Sequence, residues 1–320
     1  MKCDSKTKLV ILTAGGTGGH VYPADALAQE LSARGYRLML VTDTRGLNNY
    51  HGKLGEIENR AVLSGALVGK SKWFKIKSLF KVACGILQSM YIIARNRPSC
   101  VVGFGGYASF PCSIAAILLG TDLVIHEQNS VMSRTNRFLA KYATMVATSF
   151  PKTKYAPQGK RSVLTGMPVR GSISDLFTIS YRPSWEDQPF NLLVLGGSQG
   201  AKIFGEVIPE AIKQLPEKLQ KRINLIQQCR ADDIESLKEK YANLKCQTEI
   251  SHFFNNMPEL YSTCHLIISR AGASSVSEIA AAGIPSILIP LPTAADDHQT
   301  SNAAEFKTKQ GGIVIAQKDL

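Results

Sequence analysis

Short apolar runs alternate with longer amphipathic stretches along almost the whole chain. The short runs have the pattern of buried strands, and the stretches between them have the length and periodicity of helices. Strands separated by such helices indicate parallel βαβ units. The predicted strands are residues 9–13, 37–42, 100–104, 123–126, 145–148 and 162–164 in the first half, and 192–195, 224–228, 266–269, 286–291 and 312–316 in the second.

The predicted helices lie between these strands, at residues 23–34, 74–94, 110–119, 133–140, 202–214, 234–241, 274–282 and 299–307. The irregular stretch 172–189, with Pro183 and Pro189, interrupts the alternation and is expected to hold or follow the linker. A chain of 320 residues also exceeds what one core usually supports. We therefore expect an α/β protein with two Rossmann-like domains, residues 1–165 and 166–320, whose parallel sheets face a cleft.

Three predicted strands lead into glycine-rich turns, which are Gly15-Gly16-Thr17-Gly18-Gly19-His20, Gly103-Phe104-Gly105-Gly106-Tyr107 and Gly196-Gly197-Ser198-Gln199-Gly200-Ala201. Glycine lets a backbone approach a ligand closely, and the helix that follows offers free N–H groups. The turns therefore predict phosphate or sugar sites. A dinucleotide turn remains the alternative for the first, because Asp43 could hold a ribose, although Val21 stands where the third glycine of that fingerprint belongs.

Polar residues with catalytic chemistry follow several strands. His20 stands just before the N-terminus of a predicted helix, whose dipole favours the neutral imidazole that a general base needs; helix capping is the alternative. The run His126-Glu127-Gln128-Asn129 stands at the carboxyl end of a strand. Its position predicts residues that bind a ligand, and a solvated loop with a helix cap is the alternative. Arg170 follows a turn, where its planar guanidinium could clamp a diphosphate.

The segment 269–278 is the strongest single motif. A strand and a small-residue turn lead into a helix whose N-terminus can bind phosphates. Glu278 lies about one turn into that helix and could accept both hydroxyls of a ribose; a capping box from Ser275 to Glu278 is the alternative. The run Asp296-Asp297-His298-Gln299 is expected to face a donor sugar. Metal binding is the weaker interpretation there, because adjacent acids do not share one face.

The formal net charge of +12 is unevenly distributed, since no acidic residue occurs between Glu58 and Asp122. Such an excess is typical of a protein that meets nucleic acid, an anionic membrane or phosphate. No nucleic-acid partner is expected, because only Trp73 and Phe74 interleave with the lysines and no known module appears. The seven scattered cysteines indicate reduced thiols, and neither a signal peptide nor a membrane span is expected.

An apolar stripe at helical spacing begins just before the long predicted helix and runs along it; it consists of Trp73, Ile76, Leu79, Phe80, Ala83, Leu87 and Met90. Lysines flank its start, which favours docking on an anionic membrane surface. A core-facing amphipathic helix with a solvated lysine face is the alternative. The predicted docking residues are Lys70, Lys72, Trp73, Phe74, Lys75, Ile76, Lys77, Leu79 and Phe80.

Taken in order, the motifs resemble the MurG family of peptidoglycan N-acetylglucosaminyltransferases, which have the B-type glycosyltransferase fold. The matching residues are the three glycine turns, His126–Asn129, Pro168-Val169-Arg170, Ser269–Glu278 and Asp297-His298-Gln299. The resemblance implies transfer of GlcNAc from UDP-GlcNAc to the C4 hydroxyl of MurNAc in undecaprenyl-diphospho-MurNAc-pentapeptide (lipid I). The product would be lipid II, formed with inversion at the cytoplasmic face of the bacterial inner membrane. No cofactor is implied, and the absence of a D-x-D motif gives no carboxylate pair for a catalytic metal.

The resemblance also implies residue roles. His20 is the candidate base and Glu127 the reserve, while Gly105, Gly106 and Tyr107 would bind the acceptor. The implied donor-binding residues are Thr17, Gly18, Gly19, Asn129, Arg170, Ser198, Phe254, Ala273, Ser274, Ser275, Val276, Ser277, Glu278 and Gln299. Phe254 stands where the family often has a smaller apolar residue beside the uracil.

The chain departs from the family pattern in three places. Met167 replaces the usual Asn before Pro-Val-Arg, and Thr293 stands where relatives often have His. The family also continues beyond the position of Leu320 with further helices, so the C-terminal domain is expected to be shortened. The alternatives are an inactive nucleotide-sugar-binding homologue and another B-type enzyme, such as a UDP-GlcNAc epimerase.

Overall fold

The computed structural model describes residues 8–15, 18–44, 52–65, 72–159, 161–186, 188–197, 200–308 and 311–320. The chain divides into two compact units, Met1–Arg170 and Gly171–Leu320, which we call unit 1 and unit 2. The sequence predicted this division between residues 165 and 166. The short segment that ends in Arg170 therefore belongs to unit 1.

Unit 1 is a seven-stranded parallel sheet with helices on both faces, in the strand order β3-β2-β1-β4-β5-β6-β7. Because β1 pairs with both β2 and β4, the strand order reverses beside it. Doubly wound sheets bind ligands outside the carboxyl ends of the strands at such a reversal. The elements are β1 Leu9–Thr13, α1 Gly18–Ala33, β2 Arg37–Thr42, α2 Lys53–Glu56, β3 Glu58–Ala61, α3 Lys72–Asn96, β4 Cys100–Gly103, α4 Ser109–Leu118, β5 Leu123–Glu127, α5 Arg134–Leu139, β6 Met145–Thr148 and β7 Ser162–Leu164.

Alternation along the central strands gives unit 1 two apolar layers, one on each face of the sheet. Ile11 and Val101 belong to the layer that includes residues of α4 and α5. Leu12 and Val102 belong to the layer that includes residues of α1. Successive side chains of a strand point to opposite faces, so a central strand needs apolar residues at nearly every position.

Helix α3 approaches the chain after β3 very closely. A Cβ atom at Gly85 would overlap the carbonyl oxygen of Leu63 and lie 3.3 Å from Cβ of Pro111 in α4. Ser78, Val82, Ser89 and Ile93 complete the buried face of the helix and are at most 5% exposed. Glycine is required at this contact because no side chain fits there.

Unit 2 contains a six-stranded parallel sheet in the order β10-β9-β8-β11-β12-β13. The strand order reverses beside β8, which pairs with both β9 and β11. Apolar residues of α7 and α9 pack against β8 and β9. The elements are α6 Gly171–Ser174, β8 Phe190–Leu195, α7 Phe204–Lys213, α8 Glu217–Gln220, β9 Ile223–Gln228, α9 Ile234–Tyr241, β10 Gln247–Ser251, α10 Met257–Thr263, β11 Leu266–Ser269, α11 Ala273–Ala282, β12 Ser286–Leu288, α12 His298–Thr308 and β13 Gly312–Val314.

The structure corrects the predicted start of the first helix. The sequence placed it at Pro23, but α1 begins at Gly18 and contains Pro23. Proline lacks only one N–H group, so a single turn of helix can precede it with the loss of one hydrogen bond. His20 therefore lies inside the first helical turn, not in the loop before it.

Candidate functional site

The glycine turn after β4 packs against His20 at the carboxyl edge of the unit 1 sheet. Gly105 and Gly106 have φ angles of +88° and +80°, which are left-handed values that favour glycine. A Cβ atom at Gly105 would lie 3.3 Å from Cε1 of His20, and one at Gly106 would overlap the carbonyl oxygen of Gly15. The structure thus brings together His20 and two of the three predicted acceptor residues.

His126, at the end of β5, is buried beside this group. Its ring lies 5.6 Å from the ring of Phe104. Its Nε2 atom is 3.2 Å from the carbonyl oxygen of Gly166, an acceptor, so Nε2 carries the proton. The Nδ1 atom has no hydrogen-bond partner among the residues that the structure describes. Burial, with a smaller contribution from the charge of His20, lowers the pKa of His126 to about 4, so the ring is neutral at neutral pH.

Glu127 is only 1% exposed and holds the loop that follows β5. Its carboxylate accepts hydrogen bonds from the backbone N–H groups of Asn129 and Ser133, both at 3.0 Å. It also accepts one from Nδ2 of Asn136 at 2.8 Å. Burial raises the pKa of Glu127, and these hydrogen bonds oppose that shift. The side chain predicted as the reserve base thus has both oxygens engaged by protein donors.

The remaining predicted residues of unit 1 lie close to the same edge. Gln128 donates from Nε2 to the carbonyl oxygen of Phe104 at 2.7 Å, which ties the loop after β5 to the glycine turn. Asn129 is half-buried, and Tyr107 is exposed. The Arg170 guanidinium lies 4.8 Å from the ring centre of Tyr22 in α1.

Met167, which stands where the family usually has Asn, contacts Ser149 in the structure. The Ser149 hydroxyl donates to Sδ of Met167 at 3.6 Å and lies 3.3 Å from Nε2 of His126. The thioether is a weak acceptor. His126 and Ser149 together therefore hold the segment that leads to Arg170.

In unit 2, the N-terminus of α11 lies at the carboxyl end of β11, next to the strand-order reversal. Gly272 is the N-cap, and its carbonyl accepts the N–H of Val276 at 2.9 Å. The N–H groups of the first helical residues, Ala273 to Ser275, have no carbonyl acceptor within the helix and point outward, as at any helix N-terminus. The Ser274 hydroxyl is buried and has no hydrogen-bond partner within the described part of the chain.

The capping-box interpretation of Ser275 and Glu278 is wrong, because the helix begins before Ser275. Glu278 is instead a mid-helix residue, 8% exposed. Its Oε2 atom accepts a hydrogen bond from the hydroxyl of Tyr261 at 3.2 Å. Sequence reasoning did not single out Tyr261, because the short segment before β11 carries no functional motif.

The loop before α12 carries the last predicted motif. Asp296 and Asp297 have positive φ angles of 50° and 53°. His298 places Nδ1 2.7 Å from the carbonyl oxygen of Ala295. Gln299 accepts the N–H of Leu291 on Oε1 at 3.0 Å, which fixes its side chain across the loop. Phe254, the predicted uracil neighbour, is 8% exposed.

Arg270 is a buried cation that sequence reasoning left without a role. Its Nη1 group donates to the carbonyl oxygens of Ile289 and Pro290, both at 3.2 Å, and Nη2 donates to Oε1 of Gln317 at 2.7 Å. The guanidinium lies 5.1 Å from the ring centre of Phe204, at the start of α7. Arg270 thus ties the ends of β11 and β12 to α7.

Three predicted positions cannot be placed. Thr17, Ser198 and Lys70 lie outside the described residues, and for Lys72 the description covers the backbone only. Across the ranges described, no group of three or more metal-ligating side chains occurs.

Helix α3 exposes the predicted apolar stripe. Trp73 is 83% exposed, and Ile76, Leu79, Phe80 and Leu87 are each more than 60% exposed. Met90 instead packs against the core. The interpretation that this stripe faces the core is therefore wrong for its members from Trp73 to Leu87. By length and composition, the helix Trp73–Asn96 could also cross a membrane, but one such helix is weak evidence that the chain does so.

Comparison with known proteins decides the family. The model of the glycosyltransferase family 28 N-terminal domain matches residues 10–148, and that of the C-terminal domain matches residues 191–320. The chain belongs to glycosyltransferase family 28. This membership confirms the predicted fold class of two Rossmann-like domains and makes the protein a glycosyltransferase.

Curated relatives match over nearly the whole chain. The UDP-N-acetylglucosamine–N-acetylmuramyl-(pentapeptide) pyrophosphoryl-undecaprenol N-acetylglucosamine transferase of Paramagnetospirillum magneticum is 45% identical over 99% of this chain and 85% of its own length. The transferase of the same name from Rhodospirillum centenum is 43% identical over 97% of this chain and 82% of its own length. The predicted resemblance to the MurG family is confirmed.

Solved structures agree with this family assignment. MurG of Acinetobacter baumannii superposes with a TM-score of 0.76 at 31% identity, covering 98% of this chain and 86% of its own. UDP-GlcNAc 2-epimerase from Neisseria meningitidis has a TM-score of 0.60 at 13% identity, covering 94% and 90%. At that identity the likeness extends to the fold alone.

Proposed function

We propose that this family 28 enzyme transfers GlcNAc from UDP-GlcNAc to the MurNAc C4 hydroxyl of lipid I and so forms lipid II. The observation that carries the proposal is the near-full-length similarity to transferases named for this reaction. The geometry supports it, because each unit presents glycine turns and helix N-termini at the reversal of its strand order.

In the proposed reaction, His20 is the general base. It takes the proton of the C4 hydroxyl while that oxygen attacks C1 of GlcNAc, and the bond from C1 to the diphosphate oxygen breaks with inversion. His20 is favoured over Glu127 because the Glu127 carboxylate already accepts several protein hydrogen bonds. A base positioned in this way typically contributes about 10²–10⁴-fold to the rate.

Charge develops on the departing UDP, and preorganised hydrogen-bond donors are proposed to stabilise it. The N-terminus of α11, with Ala273 to Ser275, and the Arg170 guanidinium are suited to a diphosphate. The Ser274 hydroxyl, which is buried and has no hydrogen-bond partner among the described residues, supports this assignment. Glu278 would bind the ribose, and Gln299 the sugar. Preorganised donors of this kind are a large source of rate enhancement.

The acceptor is a lipid, and α3 is proposed to bring the enzyme to the cytoplasmic surface of the membrane. Trp73, Ile76 and Phe80 form an exposed apolar face. Lys75 and Lys77 are exposed beside it. The opposite face of α3 is buried against the rest of unit 1. The geometry therefore favours a helix that lies on the bilayer over one that spans it.

The decisive experiment measures transfer of radiolabelled GlcNAc from UDP-GlcNAc to a short-chain lipid I analogue, with and without EDTA. We expect product in both conditions and a loss of about 10²–10⁴-fold in kcat for His20→Ala. UDP binding measured in parallel shows whether that variant remains folded, and His252→Ala, at an exposed histidine, is the matched control. Conversion of UDP-GlcNAc to its 2-epimer without acceptor, and no transfer, would refute the proposal in favour of an epimerase.

A further inference from the structure

The hydrogen bond between Tyr261 and Glu278 joins two separate helices beside the proposed donor site. We infer that Tyr261 is a positioning residue that holds the Glu278 carboxylate in the orientation that accepts the ribose hydroxyls of a uridine nucleotide. The inference rests on the proposed function, in which Glu278 binds the donor. It assigns a role to a residue that touches no substrate atom itself.

Both side chains are held in place by burial. Tyr261 is 2% exposed in α10, and Glu278 is 8% exposed in α11. The phenol donates to Oε2 at 3.2 Å. Because packing fixes the aromatic ring, the position of its hydroxyl is fixed too, and it acts as a fixed donor for one carboxylate oxygen.

The orientation matters because the final torsion of a glutamate is soft. Rotation about the bond to the carboxyl carbon has a broad profile, so packing of the aliphatic part does not set the carboxylate plane. Two ribose hydroxyls, however, must donate to two oxygens in one plane. A fixed donor on Oε2 selects that plane before the nucleotide arrives, which lowers the ordering cost of binding.

The direction of the side chain also fits. Helical side chains lean toward the helix N-terminus, so Glu278 leans toward the turn of Ala273 to Ser275. A nucleoside diphosphate with its phosphates at that turn has its ribose next to them. The buried Ser274 hydroxyl marks the same turn as polar.

Unit 2 offers a matched control for a buried phenol. Tyr241 is 3% exposed, and its hydroxyl donates to Oε1 of Gln227 at 2.6 Å. Tyr241→Phe therefore removes a comparable buried hydrogen bond in the same unit without touching Glu278. Any general effect of losing such a bond appears in both variants.

The experiment measures by calorimetry the binding of UDP and of 2′,3′-dideoxyuridine diphosphate to the full chain, to Tyr261→Phe and to Tyr241→Phe. We expect Tyr261→Phe to weaken UDP binding about threefold to tenfold, the effect of one hydrogen bond. Its affinity for the dideoxy nucleotide should match that of the parent, because that ligand offers no hydroxyl to Glu278. Tyr241→Phe should leave both affinities within about twofold of the parent. In the transfer assay, Tyr261→Phe should raise the KM for UDP-GlcNAc by the same factor and leave kcat nearly unchanged.

Equal weakening for UDP and the dideoxy nucleotide would overturn the inference, since it would show a purely structural role. So would unchanged UDP binding in Tyr261→Phe, or a parent that does not distinguish the two nucleotides. If Tyr261→Phe weakens the binding of UDP but not of the dideoxy nucleotide, and the parent transfers no GlcNAc to lipid I, the inference stands and the proposed reaction fails. If transfer occurs without that effect, only the inference fails.

Discussion

Buried, neutral His126 makes the stability of unit 1 depend on pH in a way that can be calculated. Its pKa falls from 6.5 in the unfolded chain to about 4 in the fold. As the pH drops below 6.5, the unfolded state takes up the proton first, so the free energy of unfolding decreases. The stability is fully present above pH 6.5, and the loss is complete only below about pH 4.

The magnitude follows from the two pKa values. The full difference amounts to about 3 kcal/mol, and between pH 7 and pH 5 the loss is about 2 kcal/mol. His126→Gln removes the titration and keeps an amide donor for the carbonyl oxygen of Gly166. The variant should therefore lose about 2 kcal/mol less than the parent over that pH interval.

The assay is urea unfolding followed by circular dichroism at a series of pH values. Because the chain has two compact units, the curves are fitted with two transitions, and hydrogen exchange of the β5 peptide identifies that of unit 1. His252→Gln, at an exposed histidine, is the control and should keep the parental pH dependence. A His126→Gln variant that loses as much stability as the parent between pH 7 and pH 5 would refute the reasoning.

Three further predictions concern packing and surface charge. Glu127→Ala leaves the buried donors of Asn129, Ser133 and Asn136 without their acceptor and should lower the free energy of unfolding by about 3 kcal/mol; an unchanged melting temperature would contradict this role. Gly85→Ala should destabilise unit 1 by about 1–3 kcal/mol, because the added methyl group collides with Leu63; the stabilisation usual for an exposed helical glycine would argue against the observed packing. Replacing the exposed Lys75, Lys77 and Lys81 with Gln should weaken binding to anionic vesicles by about 1 kcal/mol per residue at low salt; equal partitioning of the variant and the parent would exclude electrostatic docking by α3.

The sequence predicted the central strands well because burial on both faces leaves an unmistakable apolar run. The strands at Leu9–Thr13, Arg37–Thr42 and Leu266–Ser269 have the predicted bounds. The edge strands Glu58–Ala61 and Gln247–Ser251 were missed, since an edge that faces water needs few apolar residues. Short helices such as Met257–Thr263 were missed as well, because they contain too few turns to show a period.

The candidate site was predicted less completely, for a different reason. Glycine turns and helix N-termini have local signatures, so the sequence singled out the residues around Gly105 and Ala273 as candidates. The contacts of Arg270 with Ile289 and Gln317, and that of Tyr261 with Glu278, join residues far apart in sequence. No local pattern predicts such partners, and the sequence does not distinguish a buried arginine from an ordinary arginine on the surface. The individual roles of the site residues remain predictions until the variants are measured.

The first six strands of unit 1 and the six strands of unit 2 follow the same spatial order, and each sheet has its own core. A substitution that repacks one core therefore leaves the other core intact. Recombination between related genes near the codon for Arg170 would exchange whole sheets without splitting a strand pair. The two sheets can thus change separately during evolution, each through substitutions confined to one half of the gene.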